Sequence, residues 1–187
     1  GALMMARFGD VAVAAHQIAI NFAAMSFMVP LSIGMATTVR VGQAHGAGAD
    51  AAARLAGRVG IGLGVAWAVA AASLMALYPD MIVRAYTQAP EVSAMAVGLL
   101  GYAALFQLFD CIQATSNGAL RGLHDTRVPM AITVLAYWAV GMPVAVGLAF
   151  FSAVGPAGIW WGFIAGLAVA AAGLSLRFLR FPLASPG

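Results

Sequence analysis

Asp110 is the residue in this sequence most suited to chemistry. It interrupts GYAALFQLFDCIQATSNGAL, a stretch whose other residues are apolar or uncharged. Inside a bilayer a carboxylate costs roughly 2.5–3.5 kcal/mol on insertion scales, so it faces a cavity or a partner rather than lipid. Gln107, Asp110, Gln113 and Asn117 are spaced three, three and four apart, which puts all four side chains on one face. Such a stripe belongs against the interior of a helix bundle. Its chemistry could be that of a cation site, with Asp110 holding Na+ or exchanging a proton and the amides completing a polar cavity. The alternative is a hydrogen-bonded cluster that only joins helices.

Other polar residues are sparser. Gln17 and Asn21 stand four apart on an earlier apolar run, with Ser32 further along beyond Pro30. They either line the same cavity or bond between helices. His16 falls at the edge of that run, and His45 and His124 fall in polar connections. None has a second His or Cys at ligand spacing, so a metal site other than a Na+ at Asp110 is not expected. GAGAD lacks the Gly-Lys-Ser/Thr ending of a phosphate loop. No serine is matched with a histidine and an acid, so neither an enzyme nor a tightly bound cofactor is expected. Cys111 is the sole cysteine and cannot form an intrachain disulfide.

These residues are carried by elements that composition identifies. Hydrophobic residues make up 63% of the 187 and charged residues 8%, with a mean hydropathy of +0.96. About a quarter of a soluble domain is charged, so most of this surface must face lipid. Apolar runs of spanning length are predicted at Val13–Val39, Val59–Tyr78, Val92–Leu120, Val128–Phe151 and Gly158–Leu179. Pro30 and Pro143 lie inside two of them and should kink them or serve as hinges. The opening GALMMARFGD is too short to cross a bilayer and does not resemble a signal peptide. It reads as the tail of a further helix, which makes the chain an amino-terminally truncated fragment. The fold class is therefore all-α: a polytopic membrane bundle of five complete spans and the tail of a sixth.

The connections hold nearly all the charge. VGQAHGAGADAAA at 41–53 reads as a polar linker, 79–91 as an irregular one flanked by Tyr78 and Tyr86, and 121–127 as a tight turn. Ser152–Ala157 reads as a short uncharged turn. All nine basic residues are arginines. With connections alternating sides, Arg40, Arg54, Arg58, Arg121, Arg127, Arg177 and Arg180 share one side, and Arg7 and Arg84 the other. Positive-inside orientation puts the arginine-rich side and the carboxy terminus in the cytoplasm, across the inner (plasma) membrane. The arginines form no stripe with interleaved aromatics, so nucleic acid is not a partner. Gly158, Gly162 and Gly166, and again Gly60 and Gly64, recur at every fourth position, a pattern for close packing of helices within the bundle.

Several stretches, in order and covering essentially the whole chain, resemble one family. AAHQIAINFAAMSFMVPLSIGMATTVRVGQAHGAG is similar to the eighth helix and following loop of the multidrug and toxic compound extrusion transporters, NorM-like branch. FQLFDCIQATSNGALRGLHDTRVPM resembles the tenth helix and its turn, and YWAVGMPVAVGLAF and GPAGIWWGFIAGL the last two helices. The resemblance implies one lobe of a twelve-helix transporter built as two six-helix bundles. Residues 1–187 would be the carboxy-terminal one, and the amino-terminal bundle, the other wall of the cavity, would be its missing partner. It implies secondary antiport of cationic amphipathic drugs or toxins against Na+ or H+. Asp110 matches that family's tenth-helix aspartate, implicated in cation coupling. The Tyr often found four residues earlier is here Phe106, a cavity-lining candidate without the phenol. A lipid-linked-precursor flippase of a related branch would need a cationic cavity, and no arginine lies mid-span. A non-transporting structural fragment is the remaining alternative.

Overall fold

The structure is a computed structural model that describes residues 9–151 and 157–182. The opening stub with Arg7 and the connection at 152–156 lie outside these residues. The chain is helical in the order α1 (Asp10–Gly46), α2 (Asp50–Leu77), a short α3 (Pro79–Arg84) and α4 (Pro90–Gly122). There follow α5 (Arg127–Leu135), a π-helical stretch (Ala136–Gly141), α6 (Met142–Phe150) and α7 (Ala157–Leu179). Taking Arg127–Phe150 as one span, five helices among the described residues are long and apolar enough to cross a membrane. Methionine, leucine and aromatic side chains such as Met35, Leu55, Trp138 and Phe151 stay exposed on the outside. Lipid tolerates such a surface and water does not.

The helices α1 and α4 outrun their predicted spans at both ends and α2 at its start, because backbone hydrogen bonding continues past the hydrocarbon until a residue breaks the register. The linker predicted over 41–53 shrinks to three residues between α1 and α2. There Gly48 takes φ 71°, its N–H bonds to His45 O, and Ala49 N–H reaches back to Ala44 O. This pair of bonds defines a Schellman cap. His45 Nδ1 and Asp50 Oδ1, 2.8 Å apart, close the turn. The α4–α5 turn repeats the cap without a glycine. His124 has φ 59°, bonds to Arg121 O, and is followed by Asp125 N–H on Leu120 O. The linker at 79–91 contains α3.

Pro30 does not interrupt α1, which runs unbroken with the proline buried. Pro143 acts differently. A proline lacks the N–H for its i−4 carbonyl and crowds it, and here the turns just before it are π-helical. The wider π turn takes up the misfit.

α4 is the central helix, packed against α1, α2 and α7, while α7 also covers α6 and the π-helical stretch. Small residues permit these approaches. A Cβ on Gly118 would lie 2.8 Å from the Gly34 carbonyl carbon, and one on Gly122 2.8 Å from Thr38 O. Thr38 Oγ1 donates across this α1–α4 seam to Gly118 O at 2.8 Å. Gly60 and Gly64 pack on Thr37 and Thr115. Gly158, Gly162 and Gly166 seat α6 and the π-helical stretch, and a Cβ on Gly166 would lie 3.2 Å from Gly141 Cα. The predicted glycine pattern thus serves packing within the bundle. Larger side chains fill the two ends. Ile18, Met75, Leu100 and Trp160 form one apolar cluster, and Val41, Leu120, Leu174 and Phe178 the other, at the arginine-rich end.

A candidate cation site on the central helix

Asp110 lies well inside α4 and is half-buried. No hydrogen bond or ion pair to its carboxylate occurs among the described residues, and both salt bridges found lie at the arginine-rich end. One is His45–Asp50 and the other Arg177–Asp125. Gln113, Asn117 and Arg121 continue the face of Asp110 along the helix. Between α4 and α1 they border a 190 Å³ cleft with Leu31, Met35 and Thr38. Asn117 and Arg121 also border a second cleft of 450 Å³, between α4 and α5, with Thr126, Met130 and Thr133. Open space therefore flanks α4 on both sides at Asn117 and Arg121, while Asp110 itself borders neither cleft. No group of three or more His, Cys, Asp or Glu suited to a metal occurs among the described residues.

The predicted stripe of four divides. At 3.6 residues per turn Gln107 stands roughly 60° from Asp110 and 120° from Gln113, enough to aim it into the bundle. It is fully buried and donates from Nε2 to Ser26 Oγ at 3.2 Å and to Cys111 Sγ at 3.5 Å. It joins α4 to α1 and does not border the clefts. Phe106 packs edge-on against Trp160 and Phe163, with ring centroids 6.0 and 6.4 Å away, so it belongs to an aromatic cluster facing α7. Gln17 and Asn21 are exposed on α1 and border neither cleft. Asn21 Oδ1 accepts the Tyr86 hydroxyl at 3.2 Å. Ser32 bonds back to Met28 O within its own helix. His16 is buried within the bundle, its ring edge-on to Trp160 at 5.4 Å.

One residue absent from the sequence-based candidates joins the site. Tyr137, on the π-helical stretch, donates its hydroxyl to Gln113 Oε1 at 3.4 Å and stands within electrostatic range of Asp110. A phenol thus reaches Gln113 on the polar face of α4, supplied by a different helix from the one that carries Phe106.

The profile of the MatE family matches residues 1–146. The chain belongs to the MatE family. Within it, the chain is 46% identical over 177 residues to the probable multidrug resistance protein NorM of Burkholderia pseudomallei, covering 92% of this chain and 38% of that protein. It is 45% identical over 183 residues to the multidrug resistance protein PmpM of Pseudomonas aeruginosa, covering 96% and 38% respectively. A NorM-named protein of Xanthomonas axonopodis is 48% identical over 177 residues. The crystal structure of the eukaryotic MATE transporter AtDTX14 superposes with a TM-score of 0.87 at 22% identity, over 92% of this chain and 39% of that one. The MatE chain therefore spans somewhat over a third of the length of these relatives. It is a multi-pass membrane protein with the helical arrangement of its family.

Proposed function

We propose that this MatE chain forms the carboxy-terminal bundle of a secondary antiporter, one that exports cationic amphipathic compounds in exchange for Na+ or H+. Asp110 is the group that takes up the coupling cation. The observation that carries this reading is a half-buried carboxylate, mid-span, with no ion pair among the described residues, on a helix whose next turns border two clefts. An unpaired carboxylate at that depth is costly, and a bound Na+ or a proton removes the cost. Gln113 and the Tyr137 hydroxyl offer oxygen atoms, the donor type a hard cation takes. The other wall of the substrate cavity comes from an amino-terminal bundle, with the two moving about the midplane site as in many secondary transporters. The arginine-rich end faces the cytoplasm of the inner membrane, in keeping with the positive-inside bias.

The test is Asp110→Asn in the full-length protein, assayed as uptake of a fluorescent cationic dye into inverted membrane vesicles. Loss of Na+- or H+-driven transport with unchanged membrane insertion supports the reading. Wild-type transport by this variant rules out Asp110 as the coupling group.

A further inference from the structure

The seam between α1 and α2 is open at two heights. Both openings lie on the same side of the helix pair, since their lining residues repeat at helical spacing along each helix. The one nearer the α3 end, lined by Phe22, Met25, Trp67 and Leu74 among others, has a volume of 470 Å³ and no charged residue. The one nearer the arginine-rich end has a volume of 440 Å³. Its walls are apolar, from Ile33, Leu55, Val59 and Leu63, and Arg40 stands in its lining. Its floor is the contact of Gly60 with Thr37.

Arg40 is exposed, and among the described residues no carboxylate pairs with it. Arg40 is the charged residue in the lining of the groove, so its mouth carries a positive charge. Arg40 lies six positions before the end of α1 at Gly46, about 9 Å from the helix end at 1.5 Å per residue. With the arginine-rich end at the membrane surface, that distance suits a lipid headgroup. The groove therefore presents a cation at the interface and a dry slot beneath it.

We propose that this groove binds an anionic phospholipid, with one acyl chain along Ile33, Leu55, Val59 and Leu63 and the headgroup phosphate on the Arg40 guanidinium. Charge decides the occupant. A cationic drug is repelled by Arg40. A helix from elsewhere in the protein would have to bring a carboxylate to it. A phospholipid matches both ends at once, since the planar guanidinium engages phosphate oxygens in pairs and basic pockets between helices on the cytoplasmic side recognise anionic headgroups. The inference takes the arginine-rich side as cytoplasmic and does not depend on the role of Asp110.

Native mass spectrometry of the full-length protein, titrated with phosphatidylglycerol or with phosphatidylcholine of the same acyl chains, tests it. The wild type should retain phosphatidylglycerol in preference. Arg40→Gln should weaken that binding about fivefold, the ratio given by roughly 1 kcal/mol per arginine near an anionic surface, and erase the preference. Leu55→Trp, at an exposed position, keeps the charge but narrows the slot and should weaken both lipids. Arg84→Gln, at the opposite end of the bundle, should change neither. Three results would overturn the proposal. They are equal retention of the two lipids by the wild type, an Arg40→Gln effect no larger than that of Arg84→Gln, or undiminished binding in Leu55→Trp, which would mean another part of the protein fills the groove.

Discussion

At the scale of single residues, the α4 face has an acid, an amide and a phenol from two helices. The three are not equivalent. Asp110 has no partner among the described side chains, whereas Gln113 and Tyr137 share a hydrogen bond of 3.4 Å, long enough to be weak. Tyr137→Phe removes that bond and one oxygen donor while keeping the ring. It should raise the half-saturating cation concentration for transport about two- to tenfold, the range that a bond worth roughly 0.5–1.5 kcal/mol covers. Maximal rate should hold, in contrast to Asp110→Asn. A Tyr137→Phe variant with wild-type cation dependence would remove the phenol from the site. The residues proposed for the site were not equally legible. Asp110, Gln113 and Asn117 follow from one periodicity. Gln107 was misassigned because steps of three fall short of a 3.6-residue turn, and the deficit accumulates over two steps. Tyr137 was invisible because helical-wheel reasoning assumes about 100° per residue, which a π-helical stretch does not keep.

At the scale of elements, glycine and threonine take the place that leucine holds in a water-soluble bundle. Lipid provides little drive for apolar surfaces to meet, so close backbone approach has to hold the helices together. Gly118→Leu should therefore be severe. Its side chain would press on the Gly34 backbone of α1, where no flexible group can yield. Overpacking of this kind costs about 1–3 kcal/mol or more, and thermal unfolding in detergent should shift downward by several degrees. The turn after α4 is predicted to respond in the opposite sense. His124 holds φ 59°, a conformation costing an L-residue roughly 1–2 kcal/mol. His124→Gly should raise the unfolding temperature, and a lowered one would mean the imidazole makes a contact outweighing that strain. Span positions were legible because a bilayer demands uninterrupted apolar runs, as with Val92–Leu120 inside Pro90–Gly122. Helix ends were not. They depend on where a residue such as Gly48 or His124 turns left-handed, and polarity does not report that.

At the scale of the whole molecule, α1, α4 and α7 run in one direction, with α2 and α5–α6 returning between them. This places the turns at Gly48 and His124 on the same side as the end of α7. Single cysteines at Gly48 and at Thr87, in a background with Cys111→Ala, test the orientation. In intact cells a membrane-impermeant maleimide should label Thr87→Cys and spare Gly48→Cys. The reverse pattern would invert the topology and with it the leaflet assigned to the lipid groove. The same arginine-rich end is fastened by Arg177, whose Nε donates to Asp125 Oδ2 at 2.8 Å while its guanidinium lies 5.4 Å from the centre of the Phe181 ring.

That fastening has a consequence for how the chain is made. Asp125 precedes Arg177 by 52 residues, which at 5–20 residues per second is an interval of roughly 3–10 s between their emergence from the ribosome. During that interval α1 to α4 can assemble, but the carboxylate at the α4–α5 turn waits in the headgroup region without its counter-charge. The arrival of α7 completes the pair and covers Gly141 and Ala145 together. The helix that completes this pair is thus also the clasp of the bundle. A nascent chain stalled before Arg177 would show its incompleteness at the arginine-rich end, where Asp125 stands without Arg177.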